Sequence, residues 1–365
     1  MGMNRSPAVA LVALLAVTAG TASALAAPRH TPARPVLCHG DPSTSHRLDI
    51  TVDGTPTFGY YAVPKGKASG IVVFDHGYSH TAWNWREHLT QVATRDRVIA
   101  VAMDYRFQKD GPVDPKTGFS SSRGWRVAEG AADSIAAAQL FDATCKTGGV
   151  NTVYGVSMGG NTSGLVAAAQ PKDAAGKPLF DYWFAIEPAV NVTETWHEAK
   201  VVAQSGNEFA VNATEDIEQE LGGTPAEAPD AYRSHTVVAR IADIAAAGLK
   251  GVTVVQGVDD GLVPYNQSRE MVAELRATGI PVDDVTVGTR GDGEPGTTLT
   301  GNALGPLGQQ SPFAGHASEV SNTQLVGVTG FDLLDDLYLH DQPPACHESF
   351  RDGDTGQWAV SPATC

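Results

Sequence analysis

The sequence is short of basic residues, of cysteine and of long apolar runs. Lys and Arg number 25 against 41 Asp and Glu, a formal charge of −16. No basic cluster is present to follow a phosphate backbone, so nucleic acid is a poor partner. Only 4 of the 365 residues are cysteine, and no two of them are spaced as a thiolate metal knuckle requires. Beyond the N-terminal segment no stretch has about 18 consecutive apolar residues, which argues against a membrane span. Charged residues make up only 18% of the chain while hydrophobic residues make up 42%. A chain of that composition folds around a substantial core rather than remaining disordered.

The N-terminal segment is different. "MNRSPAVALVALLAVTAGTASALAAP" carries Arg5, then an apolar run, then the small-x-small pattern Ala24-Leu25-Ala26. This reads as a secretory signal peptide over residues 1–26, leaving 27–365 as the mature, extracellular chain with no stable membrane anchor. In an exported protein Cys38, Cys145, Cys346 and Cys365 are expected to form two disulfides, with three connectivities open. Cys346 and Cys365 bracket the C-terminal tail (341–365) and are the favoured pair. That leaves Cys38 with Cys145.

Along the chain, strands alternate with helices. "RLDITVDG" and "TFGYYAVP" predict an antiparallel pair turning at Asp53-Gly54. "GIVVFDHG", "DRVIAVAMDYR", "VNTVYGVS", "FDYWFAIEP", "GVTVVQG" and "PVDDVTVG" predict further strands, several apolar enough to be buried on both faces. Helices are predicted over 85–95, 125–144, 159–170, 266–279 and about 316–340. Residues 107–124 read as a polar loop, 189–245 as a mostly helical excursion or small lid, and 289–315 as a long irregular segment. This alternation predicts an α/β fold with an open, mostly parallel sheet covered by helices.

"VYGVSMGGN" holds the sharpest chemical feature. Gly155-Val156-Ser157-Met158-Gly159 fits G-x-S-x-G between an apolar strand and a small-residue helix. A serine at the apex of such a turn needs small neighbours at 155 and 159. In this respect the chain resembles the α/β-hydrolase superfamily over residues 55–340 or so. The resemblance implies a secreted serine esterase or lipase with Ser157 as nucleophile, and then an acid and a histidine in that chain order. "VVFDHGYSH" supplies His76-Gly77 as structural support, followed by Tyr78, whose N–H with that of Met158 would form the oxyanion hole. The family spacing from Gly257 and back from Val263-Pro264 selects Asp260 as the acid, with Asp259 as the rival. His316 in "SPFAGHASE" is the expected base, ahead of His340 and His347. Glu187 ends a strand beside the site and is a candidate to modulate or replace Asp260. Trp83, Trp183, Glu187 and Trp196 are candidate pocket residues. The chemistry implied is ester cleavage through an acyl-enzyme, on a small or polymeric ester, with no metal or organic cofactor. A peptidase or amidase with the same residues, or a non-catalytic binding protein of this fold, are the alternatives.

Overall fold

The computed structural model describes residues 30–116, 118–288, 315–316 and 324–365. The predicted signal segment 1–26, nearly all of the 289–315 segment and the start of the predicted last helix lie outside these residues. The described residues begin with β1 (His30–Pro32), β2 (His46–Val52) and β3 (Thr55–Ala62). Val52 faces Thr55 across a two-residue turn in which Asp53 and Gly54 have φ of 50° and 83°. Left-handed backbone at both turn positions matches the twist of a hairpin, and Asp-Gly tolerates it. Next come β4 (Gly70–Asp75), α1 (Arg86–Arg95) and β5 (Ile99–Met103), with both strands buried throughout.

A small hairpin of β6 (Lys109–Val113) and β7 (Ser120–Arg123) precedes α2 (Val127–Cys145). Then follow β8 (Val150–Val156), α3 (Met158–Ala168) and β9 (Tyr182–Ile186). The predicted excursion contains α4 (Val192–Ala203), α5 (Glu208–Leu221), α6 (Pro229–His235) and α7 (Ile241–Ala246). The rhythm resumes with β10 (Gly251–Gly257), α8 (Tyr265–Ala277) and β11 (Val282–Gly288). The chain closes with α9 (Leu325–His340), β12 (His347–Asp352) and β13 (Trp358–Pro362).

The main sheet has the order β1-β2-β3-β5-β4-β8-β9-β10-β11-β12-β13. Every neighbouring pair from β5 to β12 is parallel. The edges are antiparallel, at β1–β2, β2–β3, β3–β5 and β12–β13. Alternation along β4 divides the core between the two sheet faces. Ile71 and Val73 join one apolar cluster with Ala136 of α2 and Val166 of α3. Val72 and Phe74 join the other with Leu89 of α1 and Leu334 of α9. The layers are therefore helix, sheet, helix, as the continuous apolar strands predict.

Two segments depart from the sequence reading. Residues 107–124 are not a plain loop, because β6 and β7 pair within them. Their hold on the body is polar. The Asn84 side chain donates to Ser120 O at 2.7 Å and accepts from Ser120 N at 2.9 Å, and Ser122 N donates to Ser79 O at 3.0 Å. Hydrophobic periodicity carries no trace of strands anchored this way. The 341–365 tail is also more than a tether, since β12 and β13 extend the main sheet. Asp283 Oδ1 accepts from Ala345 N at 3.0 Å and His347 N at 2.9 Å, which steers the chain onto the β11 edge. Disulfides join Cys38 to Cys145 and Cys346 to Cys365.

Candidate functional site

Ser157 stands between the end of β8 and the first turn of α3, with φ 58° and ψ −121°. A non-glycine residue in that region carries about 1–3 kcal/mol of backbone strain, sustained only if its surroundings hold it there. Those holds are visible. Ser157 N donates to Ile186 O at 2.9 Å, and Ser157 O accepts from Gly160 N at 2.9 Å and Ala189 N at 3.1 Å. The turn is thus clamped between its own helix and the end of β9. A Cβ at Gly159 would lie 2.8 Å from His76 O and well inside contact distance of Asp75 O. The first turn of α3 therefore rests directly on the chain leaving β4, which only glycine permits. Gly155 is under the same constraint, with Ser163 Oγ 2.5 Å from where its Cβ would be.

The chain leaving β4 turns through His76, Gly77, Tyr78 and Ser79, where His80 N donates to Gly77 O at 3.2 Å and Ser79 has φ 64°. His76 is fully buried and stacks on Tyr105, ring centroids 3.9 Å apart. Its Nδ1 lies 3.0 Å from Gly77 O and its Nε2 3.7 Å from Asp104 Oδ1. Tyr105 Oη also donates to His76 O at 3.1 Å. His76 thus braces this turn from below. Met158, the first residue of α3, is fully buried.

Tyr78 is fixed through its side chain. Its hydroxyl donates to Asp216 Oδ2 at 2.6 Å. The same carboxylate takes Arg123 Nε at 2.8 Å, Arg123 Nη2 at 3.0 Å and Gly124 N at 3.0 Å. Burial alone would raise the Asp216 pKa, but the bonds from Arg123 and Tyr78 outweigh it and hold the carboxyl below its ordinary value. Burial, and then the neighbouring Asp216, push the Tyr78 phenol up. Asp216 thereby pins α5 to the β6–β7 hairpin and to the turn after β4. In the sequence Asp216 is simply one acid in the run "TEDIEQE", because its partners lie 93 and 138 residues away.

On the other side, β10 ends in the loop that carries Asp260. Its Oδ1 accepts from Leu262 N at 2.8 Å and Val263 N at 2.9 Å. Its Oδ2 accepts from Gln256 Nε2 at 2.9 Å and faces His316 Nδ1 at 2.8 Å. Gln324 Nε2 donates to His316 O at 2.6 Å. Glu187, with φ 47° at the end of β9, brings its Oε2 within 3.6 Å of the same His316 Nδ1. One imidazole therefore faces two carboxylates that are fully buried as side chains. Glu187, Asp260 and His316 offer ligand atoms within 4.8 Å of one another. Four N–H groups already occupy the carboxylate of Asp260, and a carboxylate has about four lone-pair positions. The arrangement suits orientation of the imidazole better than coordination of a cation.

A narrow cavity of about 80 Å³ opens at Ser157. Gly261, Leu262 and Val263 of the Asp260 loop form one wall, and Tyr78, Trp125 and Phe209 supply aromatic surface. Thr195, Glu198, Ala199 and Val202 of α4 form another wall. Their i, i+3, i+4, i+7 spacing marks one face of a helix. With a threonine and a glutamate among the four, no apolar stripe in "TWHEAKVV" marks that face in the sequence.

Among the aromatic candidates, Trp83 lies elsewhere: its Nε1 donates to Gly118 O at 2.9 Å and the Arg86 guanidinium sits 3.9 Å over its ring. Trp183 is fully buried beneath α3, donating to Ser163 Oγ at 2.8 Å. It serves the core, since its strand position points it under the helix. Trp196 is one residue off the α4 face that meets the cavity, and donates instead to Glu218 Oε1 at 3.0 Å, fastening α4 to α5. Of the rival histidines, His340 closes α9 and His347 opens β12, where its Nδ1 lies 3.5 Å from Asp283.

Compared with protein-family models and with curated proteins, the sequence has no match. Solved structures do match. A thermostable esterase from Pseudomonas putida ECU1011 superposes with a TM-score of 0.52 at 16% identity, over 84% of this chain and 86% of that one. A mutant of the esterase rPPE gives 0.51 at 17% identity, over 84% and 86%. The Pyrobaculum calidifontis esterase gives 0.47 at 18% identity, over 67% and 75%. With its parallel central strands, flanking helices and a likeness that spans more than four fifths of the first two structures, the chain has the α/β-hydrolase fold.

Proposed function

We propose that the protein is a serine hydrolase that cleaves carboxylic esters, with Ser157 as nucleophile, His316 as base and Asp260 as the acid that orients it. The observation that carries this reading is the strained Ser157 turn, which opens on the same cavity as the loop holding Asp260 against His316. With Nδ1 directed at Asp260, Nε2 is the ring atom that takes the proton from Ser157 Oγ as the oxygen attacks the carbonyl carbon. As the first residue of a helix, Met158 has an N–H without an intrahelical acceptor. Together with the N–H of Tyr78 it is assigned to the developing oxyanion. The imidazolium returns its proton to the leaving alkoxide. A water activated by the same histidine then cleaves the acyl-enzyme and restores Ser157. Two solved structures of this fold are described as esterases, which makes esters the first class to test.

The test is labelling with a fluorophosphonate probe. The intact protein is expected to label, and Ser157→Ala to abolish it. No labelling of the intact protein refutes the hydrolase reading. A series of p-nitrophenyl esters set against peptide anilides then separates esterase from peptidase.

We also propose that residues 1–26 direct export and are removed. Two formed disulfides are in keeping with an oxidising compartment. Among the described residues no helix is long and apolar enough to cross a membrane. N-terminal sequencing of the exported protein should begin at Ala27; a mature chain that still starts at Met1 refutes the cleavage.

A further inference from the structure

The cavity at Ser157 is apolar over most of its wall, with one conspicuous exception. Glu198 projects from α4 into it. Among the described lining residues it is the only acid, and no Lys, Arg or His accompanies it. Among the described residues none neutralises it, and the only side-chain hydrogen bond from them that reaches it is a long one, Gln267 Nε2 to Oε2 at 3.4 Å. Glu194, one helical turn earlier, is engaged by Asn266 Nδ2 at 2.7 Å. Asp260, with His316 and Glu187 behind it, adds negative charge from the sheet side. Across the cavity the Tyr78 hydroxyl binds Asp216, and Arg123, which lies against it, is committed to the same carboxylate. Burial, then repulsion from Glu194, push the Glu198 carboxyl up to about 8 against the opposing hydrogen bond from Gln267, with a lesser push from Asp260.

Among the described residues lining the cavity, no cation faces this carboxyl. The rest of the wall suits one: Tyr78, Trp125 and Phe209 present aromatic surface in the same space. An ammonium group is attracted both to a carboxylate and to the faces of aromatic rings, most strongly where water is excluded. We propose that Glu198 selects ester substrates whose bound portion carries an ammonium group, seated between its carboxylate and the aromatic wall. This rests on the hydrolase reading and adds a substrate class to it. Binding such a cation pulls Glu198 into its charged form, so a proton leaves the carboxyl as the substrate enters.

The experiment compares p-nitrophenyl 6-aminohexanoate, protonated on the amine and too long to close readily into a lactam, with its uncharged analogue p-nitrophenyl heptanoate. Measured on the full chain, the kcat/KM ratio should favour the ammonium ester by about 10- to 150-fold, the range for a hydrogen bond to a charged partner. In Glu198→Gln the ratio should collapse toward one, mainly through KM. Glu198→Asp should retain part of it. In the intact enzyme the ratio should fall as pH is lowered below 8, because protonation removes the carboxylate; His316 serves both esters equally and cancels. A ratio of one in the intact protein, or a preference that survives in Glu198→Gln, overturns the proposal. Should Glu198→Gln not fold, the pH dependence of the intact enzyme decides instead, and a flat ratio overturns it. If neither ester is hydrolysed and the fluorophosphonate probe does not label, the hydrolase reading fails. Calorimetry with n-butylammonium against n-butanol then still tests the cation pocket, and equal binding of the two refutes it.

Discussion

Replacing Asp260 by Asn removes one of two carboxylates that face His316, and the geometry sets how much is lost. Asp260 stands 2.8 Å from Nδ1 and Glu187 stands 3.6 Å from it. With an effective dielectric of about 20, their attractions for an imidazolium are about 6 and about 5 kcal/mol, similar in size. The directed, charge-assisted hydrogen bond is therefore what Asp260 alone supplies. Such a bond is worth about 1.5–3 kcal/mol, or roughly 10- to 150-fold in rate. In a site with a single acid the same substitution costs about 10⁴-fold in kcat. Asp260→Asn is thus expected to lower kcat/KM toward a p-nitrophenyl ester by about 10²-fold. Glu187→Gln alone should cost less than about tenfold, and the double variant should approach 10⁴-fold. Steady-state kinetics of the four proteins, with circular dichroism to verify folding, forms the cycle. A double variant no worse than Asp260→Asn would refute the supporting role of Glu187. If Asp259→Asn were the crippled variant and Asp260→Asn active, the assignment of the acid itself would fall.

Further perturbations test the scaffold. Gly159→Ala forces a Cβ onto Asp75 O and His76 O, backbone atoms that cannot swing aside; the expected outcome is a loss of about 1–3 kcal/mol in denaturant unfolding with strongly reduced activity. Phe209→Ala enlarges the cavity and should shift the preferred acyl chain toward longer esters; an unchanged chain-length profile would show that Phe209 does not bound the acyl group. Burial, with a further push from Asp133, raises the Asp75 carboxyl to about 8 despite the hydroxyl of Ser134. Its folded pKa lies above its unfolded value, so its stabilising contribution is complete below about pH 4 and is lost as pH rises through about 8. Tm should therefore decline between about pH 4 and 8, and Asp75→Asn should flatten that decline. The Cys38–Cys145 bridge closes a separation of 107 residues and Cys346–Cys365 one of 19. Chain entropy then assigns them about 5 and about 3 kcal/mol, so paired Cys→Ser variants should show the larger loss at the first bridge.

Local chemistry was legible in the sequence wherever neighbours in the chain decide the outcome. The Asp53-Gly54 hairpin, the buried strands β4, β5, β8 and β10, and the tight G-x-S-x-G turn follow from periodicity and backbone sterics alone. The choice of Asp260 over Asp259 came from the family resemblance rather than from local chemistry; in the structure the Asp260 carboxylate binds the N–H groups of Leu262 and Val263 within its own loop. Tertiary structure decided what depends on groups distant in sequence. It set Glu187 and Asp260 on one imidazole, moved Trp83 and Trp183 away from the cavity, and lined that cavity with α4 and α5 instead. It also drew the polar hairpin and the C-terminal strands into place through Asn84, Ser79 and Asp283. Hydrophobic patterning records burial, which each residue shows by its type. It does not record hydrogen bonds between polar side chains and remote backbone, because the same residues serve equally well in water until the fold brings their partners within reach.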